Sequence, residues 1–198
     1  MSTIRSVCVY CGSGVGTDPA YALAAAELGR RFAEAGLRLV YGGGSVGLMG
    51  TIAHNVLAHG GAVTGIIPQF LRDRERMLAE VTDLVVTKDM HERKRLMFDH
   101  SDAFVALPGG IGTLEEVVEM MTWAQLGRHS KPILLFDING FWGPLMDLLH
   151  HMSAQAFIRP GMEVDYLVAD RAEDVIPALT GSRGHVIHGG DTEMIARL

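Results

Sequence analysis

The side chains best suited to chemistry fall into two charged stretches and three glycine clusters. Met90-His91-Glu92-Arg93-Lys94-Arg95 and Thr113-Leu114-Glu115-Glu116 each open a predicted helix, one just before and one just after the apolar run Ala103 to Leu107. Arg93 offers a planar fork suited to phosphate or carboxylate, and Lys94 a compact charge. Glu116 can act as a carboxylate at a ligand site, or close a capping box with Thr113 by returning to the N-cap N–H. Glu115 and Glu119, four apart, read as a solvated helix face. The glycine clusters are Cys11-Gly12-Ser13-Gly14-Val15-Gly16, Gly42-Gly43-Gly44-Ser45-Val46-Gly47 and Pro108-Gly109-Gly110-Ile111-Gly112-Thr113. Glycine there lets backbone N–H groups approach an anion, and the following helix N-terminus adds about half a positive charge. One such turn means little, because strand-to-helix turns use glycine for its positive φ. Three at equivalent positions, with Gly12, Ser13, Gly43, Gly44, Gly109 and Gly110 among their residues, point to a phosphate-bearing ligand.

What is missing narrows the ligand. Gly42-x-Gly44-x-x-Gly47 matches a dinucleotide fingerprint, but the next apolar run ends in Pro68-Gln69, where a ribose-binding acid is expected. No cluster is followed by Lys-Ser or Lys-Thr, so a Walker-type triphosphate loop is absent. The only lysines are Lys88, Lys94 and Lys131, and a pyridoxal-phosphate decarboxylase needs both a Schiff-base lysine and a far longer chain. A mononucleotide or sugar phosphate remains, and no metal or organic cofactor is called for. Cys8-x-x-Cys11 lies along a predicted strand whose positions 8 and 11 face opposite ways, which favours two inert buried thiols over a redox pair. The nine histidines show no metal-ligand spacing.

Positioning these residues requires strands that end at the glycines. Short Val, Ile and Leu-rich runs alternate with amphipathic stretches, the pattern of one doubly wound, Rossmann-like α/β domain with a mostly parallel sheet and helices on both faces. Strands are expected at Ser6 to Tyr10, Leu37 to Tyr41, Ala62 to Ile67, Leu84 to Thr87, Ala103 to Leu107, Pro132 to Phe136 and Tyr166 to Val168. Helices are expected at Asp18-Pro19 to Glu34, Leu48 to His59, Met90 to His100, Thr113 to Leu126, Trp142 to Ala154 and Ala172 to Leu179. Asp18 reads as an N-cap with Pro19 at the first helical position. Gln69 to Glu80 is too charged for core and reads as a surface loop or short helix. Residues 1–180 form the domain, and 181–198 a tail expected to be disordered or to sit in an oligomer contact, holding at best a short helix capped by Asp191. In a parallel sheet the three glycine clusters then share the carboxyl ends of the strands, where such folds bind ligands.

Composition supports this picture. At 198 residues the chain can bury roughly 70% of its unfolded surface without a disulfide or metal. Seventeen basic against 23 acidic residues give a net charge of 17 − 23 = −6, with no basic run, which argues against nucleic-acid and membrane-surface binding. No apolar stretch reaches the roughly 18 residues that span a bilayer, and Met1 to Arg5 lacks signal-peptide character, so the cytoplasm is the expected compartment.

Together, Cys11-Gly12-Ser13, Tyr41-Gly42-Gly43-Gly44-x-x-Gly47-Leu48-Met49-Gly50, Met90-His91-Glu92-Arg93-Lys94, Pro108 to Glu116 and Thr122-Trp123-Ala124-Gln125-Leu126-Gly127 resemble the LONELY GUY family. Its members are cytokinin riboside 5′-monophosphate phosphoribohydrolases, often mislabelled as lysine decarboxylases. The match runs from about Ser6 to Leu179. It implies hydrolysis of the N-glycosidic bond of an adenosine 5′-monophosphate to a free adenine-type base and ribose 5-phosphate. By motif, Arg93 and Glu116 correspond to the family's catalytic pair. Lys94, Gly110, Ile111, Gly112, Thr113, Leu114, Glu115 and Thr122 correspond to its binding residues, and Glu75 to an acidic residue in the loop after the third strand. Ile111 stands where tyrosine is common, which bears on the shape of the base pocket. A homodimer is also implied, with Met120, Met121, Trp123 and Leu126 as contacts. The sequence admits three roles for Arg93: holding phosphate, orienting Glu116, or assisting the departing base. It also admits two rivals, a non-catalytic nucleotide or phosphate-ligand carrier or sensor, and a broad nucleoside 5′-monophosphate nucleosidase.

Overall fold

A computed structural model describes residues 3–72, 78, 80–159, 161–181 and 186–188. Seven strands, β1 (Ser6–Tyr10), β2 (Arg38–Tyr41), β3 (Val63–Pro68), β4 (Asp83–Thr87), β5 (Ala103–Ala106), β6 (Ile133–Phe136) and β7 (Asp165–Ala169), pair in parallel. An eighth, β8 (Val186–His188), pairs antiparallel with β7. The spatial order is β4-β3-β2-β1-β5-β6-β7-β8. The chain therefore winds outward from β1 to β4, then crosses back to β5 on the other side of β1. Ligands of such sheets bind at this reversal, between the loops leaving β1 and β5.

The inner strands are apolar on both faces, as a sheet covered twice must be, whereas β4 at the edge leaves Leu84 and Val86 exposed. Val7, Val9, Leu39, Tyr41, Val105 and Phe136 face one core, with α1 (Pro19–Glu34), α2 (Gly47–Ala58) and α7 (Ala172–Leu179). Cys8, Tyr10, Val40, Phe104, Ala106 and Leu135 face the other, with α4 (Met90–Asp99), α5 (Ile111–Gln125) and α6 (Gly143–Ala154). Cys8 and Cys11 fall in opposite cores, as their spacing predicts, and burial pushes the Cys8 thiol up to about 12 and Cys11 higher still.

Local signals set the helix starts that hold. Asp18 accepts from the Ala20 N–H at 2.9 Å and Pro19 follows it, so α1 begins where the sequence puts it. Asp89 accepts from the Glu92 N–H at 2.8 Å, while Glu92 returns to accept from the Lys88 N–H at 2.9 Å. That reciprocal clamp fixes the first turn of α4 and aims Arg93 inward. After β3 the charged segment opens with a single short turn, α3 (Gln69–Arg72). Glu75, and the helix expected after Asp191, lie outside the described residues. The sequence pattern gives no sign of β8, which lies in the expected tail.

Candidate active site

Helix α5 begins two residues earlier than its sequence suggests. Gly110 is its N-cap, in extended conformation, so Thr113 is the third helical residue. The capping box is thereby ruled out: Glu116 is too far along the helix to reach its N-cap, and its carboxylate goes elsewhere. It accepts from Nη1 of Arg93, on α4, at 2.5 Å. The side chains are only 10% and 12% exposed, so this pair is a buried one rather than a surface bridge. Arg93 Nε also donates to the Ile66 carbonyl of β3 at 3.2 Å. Burial pushes the Glu116 carboxyl above the usual carboxylate range, outweighing the opposing pull of the guanidinium beside it.

Beside the pair, Lys94 Nζ donates to Glu115 at 2.7 Å and to Glu119 at 3.0 Å. Burial alone would lower its pKa, but the two carboxylates raise it overall, so the ammonium stays charged. Glu119, expected to sit on a solvated face, thus helps hold Lys94. Its second carboxylate oxygen is buried with no hydrogen-bond partner among the described residues.

Among the described residues no side chain caps α5 at Gly110, so the N–H groups of its first turn remain for a ligand or water. Gly110 also borders a cleft of about 290 Å³ at the strand reversal, lined by Gly12 to Gly16, Tyr21, Leu48, Pro108 to Gly110 and Phe141. The cleft is built from backbone packed on backbone. The Gly12 N–H donates to the Pro108 carbonyl at 3.0 Å, and a side chain on Gly109 would strike Thr113 and the Gly12 nitrogen. The second glycine cluster behaves differently from the third. Its helix, α2, spends its Leu48 N–H on the carbonyls of Gly12 and Gly14, at 3.1 and 3.2 Å, and Gly47 (φ +64°) lies against the Ser13 backbone. That helix end supports the first loop, and its Leu48 also lines the cleft.

With this geometry in hand, the comparisons with known proteins are specific. Residues 49–179 match the family model described as Possible lysine decarboxylase. The LOG protein of Oryza sativa subsp. japonica, a cytokinin riboside 5′-monophosphate phosphoribohydrolase, is 43% identical over 175 residues, covering 88% of this chain and 72% of that protein. The enzyme of that name from Rhodococcoides fascians is 43% identical over 178 residues, 89% of this chain and 90% of its own. The chain belongs to the LOG family. Among solved structures, a molybdenum cofactor carrier protein from Chlamydomonas reinhardtii matches with a TM-score of 0.68 at 23% identity, covering 89% of this chain and 96% of that one, which speaks to the fold alone.

In this LOG-family chain the motif residues do not all converge. Arg93, Lys94, Glu115 and Glu116 form one contact group, and Gly109, Gly110 and Thr113 build the adjoining turn, with Thr113 buried beneath Gly109. Gly12 and Ser13 line the cleft. Gly43 and Gly44 are buried outside it, Gly43 packing over Ile67. Gly112 and Ile111 stand at the rim, Ile111 82% exposed, and Leu114 is half-buried. Thr122 donates its hydroxyl to the Val118 carbonyl, and at 1.5 Å per residue it sits roughly 14 Å along α5 from Thr113. Met120 and Met121 are buried within the protomer, which corrects their expected role as dimer contacts; Leu126 is 64% exposed.

Proposed function

We propose that this chain is a phosphoribohydrolase that cleaves the N-glycosidic bond of cytokinin riboside 5′-monophosphates, and of AMP, with residues 1–180 as its hydrolase domain. The observation that carries the reading is the buried Arg93–Glu116 pair beside an uncapped helix start, in a chain closely related to enzymes of that name. The 5′-phosphate takes the N–H groups of Gly110 to Thr113, with Lys94 as the nearby cation. Binding energy from that phosphate, remote from the reacting bond, holds the ribose in place. As the base departs, positive charge builds on the ribose ring, and the Glu116 carboxylate stabilises it. Water then adds its oxygen to C1′, one of its protons leaves, and the base gains a proton on the ring nitrogen that it bonded through. Arg93 orients Glu116, since its Nη1 and Nε are already committed to the carboxylate and the Ile66 carbonyl.

A carrier has little use for a carboxylate buried at an anion site, which favours the enzyme over that rival. Chromatography of free base released from AMP and from N6-isopentenyladenosine 5′-monophosphate tests the reading. Release from both, faster from the prenylated nucleotide, is expected. No release from either would establish the carrier, and equal release from all nucleotides the broad nucleosidase.

The homodimer and the cytoplasmic location belong to the same proposal. The outer face of α5 supports the first, with Ile111, Val118 and Leu126 exposed along it and Thr122 facing out between them. A second subunit seated there closes the base pocket at Ile111 and gives Thr122 a ligand to meet. Light scattering at micromolar concentration should give twice the protomer mass, and cell fractionation should find the protein in the soluble cytoplasmic fraction.

A further inference from the structure

Gly42 follows β2 directly and is buried, yet its backbone gives no reason for glycine. The positive φ angles in its loop belong to Gly43 (+82°) and Gly47 (+64°), and any L-residue can adopt the backbone at 42. What forbids a side chain is Arg93. A Cβ built on Gly42 overlaps Nη2 of that guanidinium, lies 3.6 Å from its Cζ, and is 3.3 Å from Sδ of Met49. The guanidinium is therefore enclosed on three sides, by the Ile66 carbonyl at Nε, Glu116 at Nη1 and the bare Cα of Gly42 at Nη2.

We infer that Gly42 is a positioning residue whose missing side chain reserves the space in which Arg93 is held against Glu116. This rests on the proposed role of that pair in hydrolysis and assigns part of the second glycine cluster a purpose other than binding phosphate. An alanine methyl would press on the far end of a flexible side chain, so the fold can accept it. To regain ordinary contact the guanidinium must retreat by about 1 Å. A displacement of that size at a catalytic group costs up to about 10²-fold in rate.

The test compares wild type, Gly42→Ala, Arg93→Ala and the double variant, each as the full chain. Gly42→Ala should lose at least tenfold in kcat on N6-isopentenyladenosine 5′-monophosphate, with AMP affinity within threefold of wild type. Urea denaturation of all four should show that the methyl destabilises the wild type but not the Arg93→Ala background, where its space is free. Turnover within twofold of wild type, or an equal loss of stability in both backgrounds, overturns the inference. If Gly42→Ala alone fails to fold, folding of the double variant supports the inference and its failure overturns it. A wild type that hydrolyses no nucleotide would refute the proposed function, while the stability comparison still decides whether Gly42 makes room for Arg93.

Discussion

Replacing Glu116 by glutamine removes one negative charge and keeps the shape of the side chain. A carboxylate about 4 Å from a developing positive charge, at an effective dielectric near 20, contributes about 4 kcal/mol. That is about 10³-fold in turnover, the size of effect seen when a preorganised charge-stabilising donor is removed. Nucleotide affinity should stay within about threefold, because in the proposed binding mode the first turn of α5, and not the carboxylate, holds the phosphate. Stability should fall by about 3 kcal/mol, because the amide leaves the buried Arg93 guanidinium without its counter-charge. Burial raises Glu116 in the folded state, so that carboxyl's own contribution to stability is present below the unfolded value of about 4.3 and is lost as pH rises through the folded value; at neutral pH the amide's relief of that burial offsets part of the loss. Initial rates of base release, calorimetric titration with AMP and a thermal melt separate the three quantities. A variant with kcat within tenfold of wild type, or one whose loss is accounted for by weaker binding or by unfolding, would refute the role given to Glu116.

Three further outcomes follow from the same geometry. The acidic limb of the kcat/KM profile should lie above the ordinary glutamate value of about 4.3, because the ionised form of a carboxyl raised by burial is the active one; a limb at or below that value contradicts it. Gly47→Ala should destabilise by about 3 kcal/mol or more in urea, combining a left-handed backbone with overlap on Ser13, whereas Gly14→Ala, with open space around it, should stay within about 0.5 kcal/mol. Asp18→Ala should lower stability by about 1–2 kcal/mol, since the carboxylate both caps α1 and accepts from Asn139 Nδ2 at 2.8 Å.

Features set by neighbouring residues were legible in the sequence, and features set by distant ones were not. Asp18-Pro19 marks the start of α1 because a cap and a proline act within one turn. The alternation of Cys8, Val9 and Tyr10 between two cores follows from the pleat alone. Thr113-x-x-Glu116 misled because its capping-box spacing was real, but Gly110 begins the helix and Arg93, 23 residues earlier in the chain, takes the carboxylate. Three similar glycine clusters suggested three similar loops. Only contacts across the fold divide them, with Gly47 giving way to Ser13, Gly42 to Arg93 and Gly109 to Thr113. Met120 and Met121 are expected from sequence at a subunit contact, and which face of α5 meets the sheet decides against that.

The interlocking of the loops around the cleft has a consequence for how such a protein can change. Gly12 is tied to Pro108, Leu48 to Gly12, and Gly47 and Gly109 each leave no room for a methyl group. At these points the floor of the cleft is thus a main-chain surface, where a side-chain replacement can damage the packing but cannot reshape it. In the proposed binding mode, variation in what the protein recognises is left to the rim, where Ile111 projects into solvent and Leu114 and Glu115 stand beside it. Diversification can proceed there residue by residue while the main-chain floor stays fixed.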